Sequence, residues 1–198
     1  MVGDSLSAGF GLNQQQAWPT LLDHRLQTQR LHYNVVNASI SGDTSSGGRS
    51  RFSAALEQSN PVIVIIELGA NDGLRGLPID ALRNNLSTMI RQAQAHNARV
   101  LLIGMKIPPN YGPLYVQQFE ETFLQLATEY KTAFVPFFLS RIVGKRELFQ
   151  NDHLHPTAEA QTILLDTVWE HLLPLLKTQE TKKNKKKSRE KTKAKSSL

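Results

Sequence analysis

The chain contains no cysteine among its 198 residues. That excludes disulfides, thiolate catalysis and thiolate metal sites, and leaves the redox compartment open. No apolar run approaches the ~18 residues that cross a bilayer. The basic start and apolar stretch of a signal peptide are also missing, since Met1 leads straight into Val2-Gly3-Asp4. Most of the chain lacks an excess of either charge. Lys177 to Leu198 holds ten Lys/Arg and two Glu, whereas the first 176 residues hold 13 basic and 15 acidic residues, so the net +6 belongs to the C-terminus. A nucleic-acid reading from overall charge would misdescribe the body, and no specific nucleic-acid partner is expected.

What is present suits one α/β domain. Hydrophobic residues make up 40% of a chain long enough for one core and short for two. The runs Val35-Val36, Val62 to Ile66, Val100 to Ile103 and Ala133 to Val135 read as strands. They are continuous, not alternating, as suits strands covered on both faces in a parallel sheet. Between them apolar residues step by three or four. Ile79, Leu82, Leu86, Met89, Ile90 and Ala93 form one helical stripe, and Phe119 to Tyr130 a second. Ala160 to Leu172, entered through Pro156, forms a third, and Trp18 to Leu26 a fourth. Alternating strands and helices predict a parallel sheet with helices on both faces and right-handed crossovers. Thr181 to Ser197 has no apolar residue larger than Ala194, which predicts a disordered tail over 177–198 behind a domain over 1–176.

Ligands of such sheets bind beyond the carboxyl ends of the strands, so the segments following each strand carry the functional signal. Gly3-Asp4-Ser5-Leu6-Ser7-Ala8-Gly9 reads as a small-residue turn, as a serine nucleophile on a tight strand-to-helix turn, or as a phosphate cradle of hydroxyls and N–H groups. Asn37 to Ser45 contains Gly42, which permits close backbone approach, and Asp43 or Thr44 in position to cap a helix. Gly69-Ala70-Asn71-Asp72-Gly73 is turn chemistry, or presents the Asn71 amide to a developing oxyanion. In Asp152-His153-Leu154-His155-Pro156, Asp and His three apart can set an imidazole tautomer for general base work. A metal site from Asp152, His153 and His155 is the competing reading, with no third histidine or Glu placed to complete it. Together these four segments supply the parts needed for acyl transfer to water.

Gly3-Asp4-Ser5-Leu6, Gly42, Gly69-Ala70-Asn71-Asp72 and Asp152-x-x-His155 resemble, in order and spacing, the four blocks of the SGNH (GDSL) hydrolases. Ala17-Trp18-Pro19, Val36 to Ser45, Asn71 to Gly76, Pro109 to Gly112 and Pro136 to Phe138 look like the bacterial branch named acyl-CoA thioesterase I, lysophospholipase L1 and arylesterase. The resemblance covers Val2 to Leu176. It implies a flavodoxin-like three-layer α/β/α sandwich of about five parallel strands. It implies Ser5 as nucleophile, His155 as general base then acid, and Asp152 orienting His155. The oxyanion hole would be the Ser5 N–H, the Gly42 N–H and the Asn71 side chain. Substrate contacts would come from Asp4, from Gly73, Leu74 and Arg75 in a mobile loop over 73–78, and from Ile107, Pro108 and Tyr111. The reaction would be hydrolysis of acyl esters, thioesters or lysophospholipids by a monomer, with no metal or organic cofactor. A carbohydrate-ester deacetylase of the same family and a non-catalytic phosphate-binding module are the alternatives.

Two features depart from the family. Only Met1 and Val2 precede the Gly-Asp-Ser block, where the family has a longer apolar strand, so a late start of the chain is expected. The family points to periplasm or secretion, while the chain as written carries no leader. The Lys-rich tail is a solvated appendage, or a weak electrostatic contact to anionic membrane.

Overall fold

The structure, a computed structural model, describes residues 1–195, with side chains as far as Lys177. Its elements are β1 (Val2–Gly3), α1 (Ser5–Ala8), α2 (Trp18–Thr28), α3 (Ser45–Ser59), β2 (Ile63–Glu67), α4 (Ala70–Leu74), α5 (Ile79–Ala95), β3 (Arg99–Ile103), α6 (Pro113–Tyr130), β4 (Ala133–Val135) and α7 (Ala158–Lys195). Over the tail expected to be disordered, 177–198, the backbone continues α7 as far as Lys195, and the side chains after Lys177 lie outside the described residues. Among the described residues no helix is long and apolar enough to cross a membrane.

The four strands form one parallel sheet in the order β1-β2-β3-β4. The run Ile63 to Ile66 packs on both faces, and Val64, Ile65 and Ile66 are all buried. The predicted stripe of α5 points inward, with Leu82, Leu86, Met89, Ile90 and Ala93 at most 1% exposed. Helices α3, α5 and α6 pack side by side on one layer, while α2 and α7 pair with each other. Between the layers Trp18, Phe52, Phe119, Phe123 and Phe138 are fully enclosed. Each such side chain stabilises the fold by roughly 1.5–3 kcal/mol relative to exposure.

The expected strand at Val35-Val36 is not a regular strand. The segment nevertheless runs beside β1. The Met1 amine donates to Val36 O, Ala38 N–H to Met1 O at 3.0 Å, and Ile40 N–H to Gly3 O at 3.1 Å. β1 is two residues long and offers too few backbone groups for a full ladder, so the fifth strand stays rudimentary. On its other side β1 pairs only with Ile66 and Glu67, which leaves Ile63, Val64 and Ile65 paired with β3 alone. A cavity of about 170 Å³ opens there, walled by Tyr33, Val35, Phe52, Ile63, Leu172 and Met1.

Helix α3 begins Ser45-Ser46-Gly47-Gly48, a poor helical sequence by propensity. It forms because the Thr44 side chain accepts from Gly47 N–H and because Gly48 lets the helix approach Leu68, where a Cβ would lie 2.2 Å from Cδ1.

Candidate active site

The carboxyl ends of β1 and β2 and two loops, around Gly42 and around Asp152 to His155, bring four segments to one point. Asp4 follows β1 and caps α1, its Oδ1 accepting from Leu6 N–H at 3.0 Å. Ser5 is the first residue of that helix, so its N–H has no intrahelical acceptor. Among the described residues neither Ser5 N–H nor Gly42 N–H donates to a protein group. Gly42 sits in a turn at φ +79°, where a side chain would be strained, and its carbonyl accepts from Arg75 Nη2 at 3.0 Å. Asn71 is the second residue of α4, after β2, and its Nδ2 donates to Asp43 O at 2.9 Å and to Asp4 Oδ2 at 3.3 Å. That single amide ties the β1, Gly42 and β2 segments together.

From the far end of the chain, His155 Nε2 lies 2.8 Å from Ser5 Oγ. The other ring nitrogen, Nδ1, lies 2.6 Å from Asp152 Oδ2. Asp152 is held in turn by its Oδ1, which accepts the main-chain N–H groups of Leu154 and His155, each at 3.0 Å. The His155 N–H, with the ring contact and the Leu154 N–H behind it, lowers the Asp152 carboxyl to about 2. His153 takes φ +60° and turns its ring to the Arg146 guanidinium, away from the Asp152–His155 pair. The three groups of the competing metal reading therefore do not converge.

Residues 1–163 match the GDSL-like lipase/acylhydrolase family. The chain belongs to that family. This GDSL hydrolase is 49% identical over 176 residues to Esterase TesA of Pseudomonas aeruginosa, a match covering 89% of this chain and 88% of that protein. It is 39% identical to the Thioesterase 1/protease 1/lysophospholipase L1 of Escherichia coli K12, over 89% of this chain and 83% of that one. The crystal structure of the psychrotrophic esterase EstA from Pseudoalteromonas sp., inhibited by monoethylphosphonate, superposes with a TM-score of 0.85 at 41% identity, covering 89% of this chain and 96% of EstA.

Not every expected contact residue of this GDSL hydrolase faces solvent. Asp4 is 1% exposed, and its two carboxylate oxygens accept from Leu6 and Asn71. Gly73 and Ile107 are buried against each other, a Cβ on Gly73 falling 2.6 Å from Ile107 Cγ2. Arg75 and Pro108 are exposed, with Leu74 and Tyr111 half-buried. The segment over 73–78 is held by two phenols, Tyr111 Oη donating to Leu74 O at 2.8 Å and Tyr115 Oη to Leu77 O at 2.7 Å. The phosphate-cradle reading loses one of its hydroxyls. Ser7 is fully buried and donates to Glu67 Oε2 at 2.7 Å.

Two neighbours of the site carried no sequence signal. Phe10 lays its ring over His155, centroids 4.3 Å apart and planes at 34°. Glu67, wholly buried beneath the Ser5 turn, receives Ser7 Oγ–H and faces the Asp4 N–H at 3.4 Å. Nothing local distinguishes Glu67 from any acid closing a strand.

Proposed function

We propose that the chain is a serine hydrolase of carboxylic esters and thioesters, working through an acyl-enzyme on Ser5 with His155 and Asp152. The observation that carries this reading is the continuous line Ser5 Oγ, His155 Nε2, His155 Nδ1, Asp152 Oδ2, at 2.8 Å and 2.6 Å. His155 accepts the Ser5 proton as Oγ attacks the acyl carbon, and Asp152 stabilises the imidazolium. The Ser5 and Gly42 N–H groups and the Asn71 amide meet the oxyanion, Asn71 giving up its longer bond, to Asp4. His155 then protonates the leaving alcohol or thiol. A water takes the same path to release the acid and regenerate Ser5. No step requires a metal or organic cofactor.

The substrates are acyl esters, thioesters such as acyl-CoA, and lysophospholipids, a reading supported by relatives named esterase, arylesterase and thioesterase 1/lysophospholipase L1. The domain over 1–176 acts as a monomer. The basic segment after Leu176 is a tether to anionic lipid, each cation near a membrane surface contributing about 1 kcal/mol. Truncation after Leu176 then weakens binding to phosphatidylserine-containing vesicles at low salt and leaves ester turnover intact; unchanged binding removes the tether.

The central test is labelling by a fluorophosphonate probe followed by peptide mapping. The label is expected on Ser5, and Ser5→Ala is expected to lose both label and p-nitrophenyl ester hydrolysis while keeping its circular dichroism. A Ser5→Ala protein that turns over at the parent rate overturns the assignment.

A further inference from the structure

Ser5 and His155 are brought together from positions 150 residues apart. Ser5 is braced from the sheet side by the Asp4 cap and by the Ser7–Glu67 bond. His155 stands instead on an irregular loop between a short turn and α7, and Asp152, which holds its ring and its N–H, belongs to that same loop. During the reaction the direct bond between them is also lost, because an acylated Ser5 Oγ has no proton to give the imidazole.

We propose that Gln150 is the positioning residue that keeps His155 over Ser5 when that bond is absent, and that its role falls mainly on deacylation. This rests on the acyl-enzyme reading above. The main-chain N–H of Gln150 donates to His155 O at 2.7 Å, closing the loop that carries the imidazole. Its side-chain Nε2 donates twice, to Pro156 O at 3.0 Å and to Phe10 O at 2.8 Å. The first bond stays within the histidine loop. The second crosses to the segment leaving α1, 140 residues away. Gly11 makes room for the crossing, since a Cβ there would lie 2.3 Å from Gln150 Oε1, and its φ of +73° is a conformation glycine adopts freely. Phe10, held by this bond, is the residue whose ring covers His155. Among the described residues, the only other hydrogen bond joining residues 3–12 to residues 146–157 is Ser5–His155 itself. Gln150 thus supplies a tie that does not pass through the reacting atoms.

In acylation the Ser5 hydroxyl can align His155 by its own hydrogen bond. In deacylation only the tie and the Asp152 contact remain, and a misplacement of about 1 Å can cost ~10²-fold in rate. Gln150→Met keeps side-chain length and removes both donors. Turnover of p-nitrophenyl butyrate would be measured per active site titrated with fluorophosphonate, so that unfolded protein is not counted. We expect kcat to fall by about tenfold or more, with KM falling alongside it and kcat/KM within about threefold of the parent. A burst approaching one p-nitrophenol per titrated site should precede the slow phase, because the acyl-enzyme accumulates. If Gln150→Met does not fold, Gln150→Asn, too short by one methylene to reach both carbonyls, is measured the same way with the same expectation. Unchanged kcat per titrated site, or a fall in kcat/KM with no burst, overturns the proposal. A parent enzyme that takes no label on Ser5 overturns the acyl-enzyme reading instead.

Discussion

Asp4 and Glu67 form a buried carboxyl pair directly beneath Ser5, 1% and 0% exposed, with the Asp4 N–H 3.4 Å from Glu67 Oε2. Burial raises both carboxyls, Asp4 to about 6 and Glu67 well above the ordinary range, where the charge of Asp4 raises it further. In the unfolded chain both ionise near 4. Between those values the folded protein holds more protons than the unfolded one, so stability falls as pH rises from about 4 through 6 and beyond.

Glu67→Gln is therefore expected to flatten this decline. Its absolute stability drops, because an amide N–H₂ replaces a carboxyl oxygen that has no hydrogen-bond partner. Urea midpoints of parent and variant at several pH values from 4 to 8 give the slopes. Equal slopes would show that folding does not change the protonation of Glu67 in this window.

Asn71→Ala tests the oxyanion donor. Loss of one such donor lowers kcat by about 10²–10³-fold. The same amide also bridges Asp43 O and Asp4, so some thermal stability is expected to go with it. A kcat within a few-fold of the parent, in folded protein, would remove Asn71 from the oxyanion hole.

Asp152→Asn keeps an oxygen for the Leu154 and His155 N–H groups but loses the charge opposite the imidazole. A fall in kcat of up to about 10⁴-fold is expected, by analogy with other Ser-His-Asp triads. Because Asp152 stays ionised down to about 2, activity lost on acidification between pH 4 and 7 does not come from its protonation. A kcat/KM profile of the parent and of Asp152→Asn checks this, since an acid limb present in the parent and absent from the variant would assign it to Asp152 after all.

The cavity beside Met1 has mostly apolar walls, and β2 residues Ile63 to Ile65 have no strand partner on that side. The Met1 amine at its mouth is pushed down to about 6, first by burial and then by Arg51. Fusing four β-branched residues ahead of Met1 replaces that amine by a peptide bond and fills the space. Melting temperature is expected to rise by several degrees, since about 1 kcal/mol corresponds to ~2–4 °C for a domain of this size. A Gly/Ser extension of equal length serves as control, and an equal rise in both would refute filling as the cause.

The sequence by itself determined the α/β class, the positions of β2, β3 and β4, and the inward faces of α5, α6 and α7, because those follow from local period and β-branched runs. It also marked Ser5, Gly42, Asn71, Asp152 and His155, which lie in short motifs legible one segment at a time. Tertiary structure alone decided the rest. The cap that starts α3 at Thr44 was legible, but that the helix continues over a Gly-Gly pair depends on Gly48 fitting against Leu68, and Val35-Val36 stays irregular because β1 offers it two residues to pair with. Asp4 and Gly73 are buried, Phe10 covers His155, Glu67 lies under the nucleophile turn, and Gln150 reaches across to Phe10. Each of these depends on which distant atoms arrive beside a residue, and a hydrogen bond spanning 140 positions leaves no trace in the periodicity at either end.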